Sequence, residues 1–382
     1  MSNDFFFCKQ CLTTSLRPNA DFTDGVCIAC LYSANDEAEV DFVDRFKRLR
    51  RNIEKVMSRH DQLAEHDCIV GVSGGKDSTR QALWVRDKLG MNPLLVCCSY
   101  PPKQMLDLGA KNLENLINLG FDVEVYNPAP ETAARLSKAS LIEFGNVCKA
   151  SEIALFTSVP KIAIERNIKI CFFGENPALQ EGDSATLGED EFDANQLRGL
   201  NTLTAGGNDW IWKVTKDSNF HTYQYPTEEE FIEKDINMFY LGPAWSDWDM
   251  EENSFFSVLE GLKTRPNEEH ITGDITNASM LDEEFTNINM MIKYYKFGFG
   301  RASDLCNELI RSDKITRDEA LKVVAEYDGV CSDKIIDSYC RWIEMGVDEF
   351  WELVWSYTNK ELFDRDGGRP VRKFEIGTPV CE

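Results

Sequence analysis

Two stretches of this sequence carry residue types spaced for chemistry. The first is Cys68-Ile69-Val70-Gly71-Val72-Ser73-Gly74-Gly75-Lys76-Asp77-Ser78, a buried-type strand run that enters a glycine-rich turn and then a helical pattern. Adjacent glycines let the backbone come close to an anion. The free N–H groups of the helix start then face that anion with the favourable end of the helix dipole. Ser73 and Ser78 add hydroxyl donors. Asp77 is the odd member, because a carboxylate beside phosphates is repelled unless a divalent cation lies between them, so it implies magnesium. A kinase-type phosphate loop does not fit: Val70 stands where that pattern needs glycine, and Asp77 where it needs Ser or Thr. The glycine spacing also departs from a dinucleotide-binding fingerprint. The plain alternative is an ordinary strand-to-helix turn, and six specified residues in a strand–turn–helix context argue against it.

The second stretch is Cys8-Lys9-Gln10-Cys11 and Cys27-Ile28-Ala29-Cys30, two Cys-x-x-Cys pairs separated by 15 turn-rich residues. That spacing fits a tetrahedral zinc site with four thiolates, with a degenerate or iron-binding site as the alternative. The zinc is expected to be structural, because protein fills all four positions. The other nine of the 13 cysteines, Cys68, Cys97, Cys98, Cys148, Cys171, Cys306, Cys331, Cys340 and Cys381, lie mostly in apolar runs and read as small core residues. Cys148, beside Lys149 at a loop or helix start, is the exception with a possible role.

The elements that must position these residues follow from pattern. From Asp41 to about Leu63, Phe42, Phe46, Leu49, Ile53 and Val56 recur on one helical face and link the knuckles to the main domain. Between His66 and about Gly174, strands at Cys68–Val72, Leu94–Ser99, Val123–Tyr126 and Ile168–Phe173 alternate with helices at Thr79–Leu89, Lys103–Leu119 and Glu131–Arg166, the last divided by Gly145 and Pro160. That order implies βαβ units and a parallel sheet. The segment from Glu181 to Asp235 is acidic and rich in Gly, Asn, Thr and Trp, and reads as loops or an inserted lid. Helices resume at Phe285–Phe297 and Ser303–Arg311. A capping box at Thr316-Arg317-Asp318-Glu319 opens the next, and two more run over about Ser332–Glu344 and Asp348–Tyr357.

Composition bounds the class. The 382 residues allow two or three domains, and 43% apolar residues without a bilayer-length apolar run predict a soluble globular chain. Forty-one basic against 65 acidic residues give 41 − 65 = −24, which disfavours broad nucleic-acid or anionic-membrane binding. The start, Met1-Ser2-Asn3-Asp4-Phe5, lacks signal-peptide character and points to the cytoplasm.

Ser73-Gly74-Gly75-Lys76-Asp77-Ser78 resembles the signature of the PP-loop ATP pyrophosphatases, over roughly Asp67 to Gly174. The resemblance implies an α/β parallel-sheet domain of the adenine nucleotide alpha hydrolase type. It implies ATP on this turn, with Cys98-Ser99-Tyr100 near the adenine and Phe173-Gly174-Glu175-Asn176 lining the same cleft. The paired knuckles, Tyr240-Leu241-Gly242-Pro243, Trp248-Asp249, the run Lys296-Phe297-Gly298-Phe299-Gly300-Arg301-Ala302-Ser303-Asp304, and Ile315-Thr316-Arg317-Asp318-Glu319-Ala320 extend the likeness over nearly the whole chain. Together they resemble the N-acetyl sugar amidotransferases of bacterial surface-polysaccharide biosynthesis. Such enzymes adenylylate an acetamido oxygen and replace it with ammonia to give an acetamidino sugar.

The resemblance implies ATP-binding residues Ser73, Gly74, Gly75, Lys76, Asp77, Ser78, Ser99 and Gly174, and catalytic residues Asp77, Glu175, Lys296 and Arg301. Lys296, Arg301 and Asp304 flank a glycine turn, where the cations would hold a phosphate or acidic sugar; a solvated helix end is the alternative. Glu175 would orient ammonia, bind magnesium or accept a proton, unless it is an ordinary loop carboxylate. Trp210, Trp212, Trp245 and Trp248 read as core more readily than as a sugar-stacking surface, and His221 and His270 have no identifiable partner. Ser2 in place of cysteine, and histidines unpaired with any cysteine elbow, leave no glutaminase site. A separate glutaminase subunit supplying ammonia is therefore expected.

The expected organisation is a zinc ribbon over residues 1–35, a linker helix over 36–66, the PP-loop domain with its acidic insertion over 67–250, and a mainly helical region over 251–382 completing the substrate site. The competing readings are a tRNA thiolase, disfavoured by charge and by the lack of a catalytic-domain Cys-x-x-Cys, and a non-catalytic zinc-ribbon scaffold, disfavoured by the intact loop.

Overall fold

The computed structural model describes residues 5–36, 41–60, 65–180, 184–200, 203, 209–215, 218–266 and 277–378. Its N-terminal unit is a short antiparallel pair, β1 (Phe22–Thr23) and β2 (Val26–Cys27), followed by helix α1 (Ile28–Asp36). Helix α2 (Phe42–Met57) is capped by Asp41, whose Oδ1 accepts from the Val43 and Asp44 N–H groups at 3.0 Å each. It does more than link: Leu49, Ile53 and Val56 enter the core beneath the main sheet.

That sheet is parallel throughout, in the order β5-β4-β3-β6-β7, with β3 (Cys68–Gly71), β4 (Pro93–Cys98), β5 (Asp122–Tyr126), β6 (Ile170–Phe173) and β7 (Asn237–Tyr240). Continuous apolar runs in β3 and β4 are what strands covered on both faces require. β5, at one edge, carries the charged residues Asp122 and Glu124. Such charges deter pairing with another chain. The chain leaves β3 towards β4 and β5, then returns on the other side for β6 and β7. The reversal places the carboxyl ends of β3 and β6 side by side, the position where open parallel sheets bind ligands.

Helices α3 (Lys76–Trp84), α4 (Asp107–Asn118), α5 (Pro130–Phe144) and α6 (Lys149–Arg166) cover the faces. Gly145, at φ 57°, divides α5 from α6 as expected. Pro160 does not divide anything. It sits inside α6, where burial of Ile153, Val159, Ile162 and Ala163 outweighs the roughly 3 kcal/mol that an interior proline costs.

The acidic segment after Glu181 is not an open lid where it is described. Phe192 and Ala194 run along β7: the Ala194 N–H donates to Met238 O and the Tyr240 N–H to Phe192 O. Leu197 and Trp210 are core residues, and a capping box at Thr227 starts the helix Glu228–Lys234. Helix α7 (Met250–Leu259) and strand β7 fall in regions where neither apolar alternation nor helical periodicity marks an element.

The remaining chain forms α8 (Thr286–Phe297), α9 (Arg301–Arg311), α10 (Arg317–Tyr327), α11 (Asp333–Trp342) and α12 (Val347–Tyr357), then the hairpin β8 (Phe363–Asp366) and β9 (Arg369–Arg372). The expected capping box at Thr316 is present, with Glu319 and Thr316 bonding reciprocally. The N-terminal unit docks here: Phe7 and Leu12 pack with Ala302, Cys306, Ala320 and Val324, and the Leu12 N–H donates to Asn307 Oδ1 at 2.7 Å. The fold is thus an α/β parallel sheet joined to an N-terminal cysteine cluster and a helical C-terminal region. No helix among the described residues is long and apolar enough to cross a membrane.

Candidate functional site

A cavity of about 1020 Å³ opens at the carboxyl ends of β3 and β6 and extends to α8 and α9. Its first wall is the Ser73–Ser78 turn. Gly74 adopts φ +82°, and a Cβ there would stand 3.1 Å from the Leu113 nitrogen, so glycine is required on both conformational and steric grounds. Gly75 is the N-cap of α3 without any side-chain cap, which leaves the helix start facing the cavity. Ser78 Oγ donates to Gly75 O at 3.2 Å, and Ser73 Oγ accepts from the Gly75 N–H at 3.3 Å, closing the turn on itself.

Helix α7 braces this turn. Asn253 Nδ2 donates to Asp77 Oδ1 at 2.7 Å, and Ser257 Oγ donates to the Lys76 carbonyl at 2.6 Å. The other Asp77 oxygen is 2.5 Å from Lys76 Nζ. Arg80 completes the brace through Asp247 at 2.5 Å and Asn253 Oδ1 at 2.7 Å, with its guanidinium over the rings of Trp245 and Phe256.

Gly174 and Glu175 form the second wall. A Cβ on Gly174 would lie 2.7 Å from Trp248 Cζ2 and closer still to Gln81 Nε2, so glycine lets this turn pack against Trp248 and the Gln81 side chain of α3. Glu175 is open to the cavity yet lies deep within it, where protein replaces bulk water. That burial, reinforced by the neighbouring Asp77 charge, pushes its pKa up to about 7. The group is thereby poised to exchange a proton near neutrality.

The third wall is cationic and comes from α8, α9 and the N-terminal unit. Asp304 is enclosed, which by itself would raise its pKa, but Lys293 at 2.6 Å and Arg17 at 2.7 Å outweigh burial and hold it well below the usual carboxylate range. Lys296 Nζ donates to Phe144 O at 2.7 Å and lies 5.2 Å from the Phe297 ring centroid; burial lowers its pKa. Arg301 is held by Ser279 Oγ, at 2.7 Å from Nη2. Among the described residues neither Lys296 nor Arg301 has a salt-bridge partner. The start of α9 is capped from a distance: Asp328 accepts from the N–H groups of Gly300 at 2.8 Å and Ala302 at 2.9 Å, and a Cβ on Gly300 would press against its carboxylate. Burial pushes the Asp328 pKa up to about 6.

The four N-terminal cysteines converge. Their sulfurs all lie within 4.8 Å of one another, with Cys11 and Cys27 Sγ 3.6 Å apart. Four thiolates about 2.3 Å from a tetrahedral zinc would stand about 3.8 Å apart. Backbone N–H groups of Gln10 and Cys27 point at Cys8 Sγ at 3.4 and 3.3 Å, and that of Thr13 at Cys11 Sγ at 3.4 Å. Donors aimed at sulfur suit thiolates, so Cys8, Cys11, Cys27 and Cys30 could hold a metal ion.

Of the residues singled out in the sequence, Ser73, Gly75, Lys76, Asp77, Ser78, Gly174, Glu175, Lys296, Arg301 and Asp304 line the one cavity. Gly74 and Ser99 do not line it: Gly74 packs against Asn112 and Leu113, and the Ser99 hydroxyl turns to the Tyr100 carbonyl and Met105, while its neighbours Cys98 and Tyr100 face the cavity. Cys148 is buried beside Thr286, and burial pushes its thiol well above the ordinary range, which disfavours the reactive thiolate. Cys68, Cys97, Cys98, Cys171, Cys306 and Cys340 are buried and Cys331 is half-buried; Cys381 lies outside the described residues. Trp245 stacks on Trp84 at 4.8 Å and Trp210 is core, Trp212 is exposed, and Trp248 alone of the four lines the cavity. The His221 carbonyl accepts from Lys161; His270 lies outside the described residues.

Sequence reasoning missed Arg17, Lys293, Asn253, Ser257 and Glu308. The last also lines the cavity, with its pKa raised by burial. Asn253 and Ser257 stand four residues apart, one helical turn, a spacing that becomes visible only once α7 is known to be a helix.

Residues 274–376 match the family model for the C-terminal domain of WbpG-like LPS biosynthesis proteins. No curated protein matches the chain. Among solved structures, the NMN synthetase of Francisella tularensis is similar at 14% identity over 60% of this chain and 100% of its own, with a TM-score of 0.29. The U34-tRNA thiolase NcsA of Methanococcus maripaludis, solved with its 4Fe-4S cluster, is similar at 12% identity over 79% of this chain and 87% of its own, with a TM-score of 0.28. The matched segment holds α8 and α9 with Lys293, Lys296, Arg301 and Asp304, so this part of the cavity wall is similar to the C-terminal domain of proteins of bacterial surface-polysaccharide biosynthesis.

Proposed function

We propose that the protein is an ATP-dependent amidotransferase, forming AMP and pyrophosphate, that converts an acetamido group on a sugar or sugar nucleotide into an acetamidino group. The observation that carries the reading is that the anion-facing helix start at Gly75 and the cations Lys296 and Arg301, neither with a salt-bridge partner among the described residues, face one cavity. Such a cavity accepts two anionic substrates at once, which a strongly acidic chain would otherwise repel.

An amide carbonyl is a poor electrophile and its oxygen a poor leaving group; adenylylation changes both. The backbone N–H groups of the Gly75–Ser78 turn hold the ATP phosphates, and Gly174 lets the second turn close on them. Asp77 has the chemistry to hold Mg²⁺, which would supply positive charge for the departing pyrophosphate. The acetamido oxygen attacks the α-phosphorus, forming an O–P bond as the bond to pyrophosphate breaks. Ammonia then adds to the activated carbon. The C–O bond breaks with its electron pair leaving on AMP, and one proton from the added nitrogen passes to Glu175. Lys296 and Arg301 orient the anionic part of the sugar substrate, and Lys293 and Arg17 fix Asp304 between them.

Cys8, Cys11, Cys27 and Cys30 would hold a structural zinc that fixes the unit carrying Arg17. Ammonia comes from a separate glutaminase subunit, the protein acts in the cytoplasm for O-antigen, capsule or flagellar glycan synthesis, and neither nucleic acid nor membrane is a partner. The thiolase alternative is the weaker one: among the described residues Cys98 is the cysteine lining the cavity, and burial pushes its thiol up to about 12. A thiol held neutral makes a poor sulfur carrier. ATP–pyrophosphate exchange dependent on a di-N-acetylated sugar nucleotide tests the proposal. Absence of exchange with any acetamido sugar refutes it.

A further inference from the structure

A second cavity, of about 390 Å³, lies between α1, α2, the turn at Gly242–Asp249 and α9. It shares Arg17, Trp248, Arg301, Asp304, Leu305 and Glu308 with the main cavity, so a single layer of side chains separates the two. Its far side is lined by Ser33 of α1, by Phe42 of α2 and by Ser246. It therefore reaches the surface beside the cysteine unit, away from the phosphate turn.

Drug-sized ligands each occupy pockets of roughly 300–1,000 Å³, so ATP and a sugar nucleotide together would take up most of the main cavity. A third reactant that must arrive after both are bound needs its own way in. The layer between the cavities is also suited to the last barrier. Trp248 packs against Gly174, the residue before Glu175, and Glu308 sits at the junction with one oxygen engaged, accepting from the Met250 N–H at 3.0 Å. Resting on the amidotransferase reading, we infer that the second cavity is the route by which ammonia enters, passing between Trp248, Leu305 and Glu308 to the side of the main cavity where Glu175 stands. The cysteine unit then has a function in the reaction besides supplying Arg17: it forms the outer rim of the nitrogen entrance.

The test fills the route from residues that line only the second cavity. S33W and S246W, made separately in the full chain, are assayed with ammonium chloride as nitrogen source. Exchange of ATP with pyrophosphate, driven by the sugar nucleotide, stays at the wild-type rate because neither residue touches the main cavity, and this also certifies folding. Amidine formation falls by about tenfold or more in kcat/KM for ammonia, with KM for ATP and sugar unchanged. Wild-type ammonia dependence in both variants, with exchange intact, overturns the route alone. Loss of exchange in the wild-type protein with every acetamido sugar overturns the underlying reading and the route with it.

Discussion

The two sides of the main cavity are built by opposite means. The sheet side presents backbone: a left-handed glycine at Gly74, an uncapped helix start at Gly75, and a Gly174 packed closely under Trp248 and Gln81. On the helical side it rests on long cationic side chains, each pinned by a partner from elsewhere in the chain, as Arg301 is by Ser279 and α9 by Asp328. Backbone recognition suits a ligand part common to all nucleotides, whereas side chains can be exchanged without refolding the turn. On the proposed function, the difference would place the nucleotide on the sheet side and the sugar on the helical side.

The largest expected effect lies on the sheet side. Asp77→Asn should lower sugar-dependent ATP–pyrophosphate exchange by about 10²–10³-fold, the loss typical of one electrostatic stabiliser at a reacting centre. A loss below tenfold would break the proposed division. Cys8→Ser comes next: metal content should fall from one ion per chain to none, and the sugar KM should rise more than the ATP KM, because Arg17 hangs from this unit. A variant retaining its metal would remove the basis for that asymmetry. Arg301→Ala should raise the sugar KM about 10–100-fold, the worth of one charge-assisted hydrogen bond, and leave the ATP KM unchanged.

Glu175 sharpens the comparison through pH. With its pKa at about 7, only the ionised carboxylate accepts a proton, so at fixed free ammonia the rate should fall as pH drops below about 7, up to tenfold per unit. Glu175→Gln should flatten that limb and lower the plateau. A limb that persists in the variant assigns the titration to another group, with Glu308 the next to change. The smallest effect is reserved for Thr316→Ala. Loss of this cap should cost about 1 kcal/mol in denaturant unfolding and leave both KM values unchanged.

How much of this could be read from sequence follows the same divide. The phosphate turn, the flanking strands and the cysteine pairs are local in the chain, and their spacing is their geometry. Thr316 announces its helix through Glu319 for the same reason. The brace on the turn is not local: Asn253 and Ser257 lie some 180 residues from Lys76 and Asp77, on a helix whose buried positions mix Met250 with these two polar residues and so give no apolar period. Strand β7 is four residues long and follows an acidic stretch, too short for alternation to register. Pro160 misleads because tertiary burial overrides local propensity, and Ser99 because a motif names a neighbourhood while the alternation of extended backbone turns Ser99 away from the face that Cys98 and Tyr100 share.

The docking of Leu12 against Asn307 has a consequence during synthesis. Their separation of 295 residues means that the N-terminal unit leaves the ribosome long before its partner surface exists. At 5–20 residues per second the wait is roughly 15–60 s, during which Phe7 and Leu12, fully covered in the finished fold, have nothing to cover them. A metal bound early by the four cysteines would keep the newborn segment compact through that interval. Zinc starvation should accordingly lower the yield of folded chain more than it lowers the activity of chains already made.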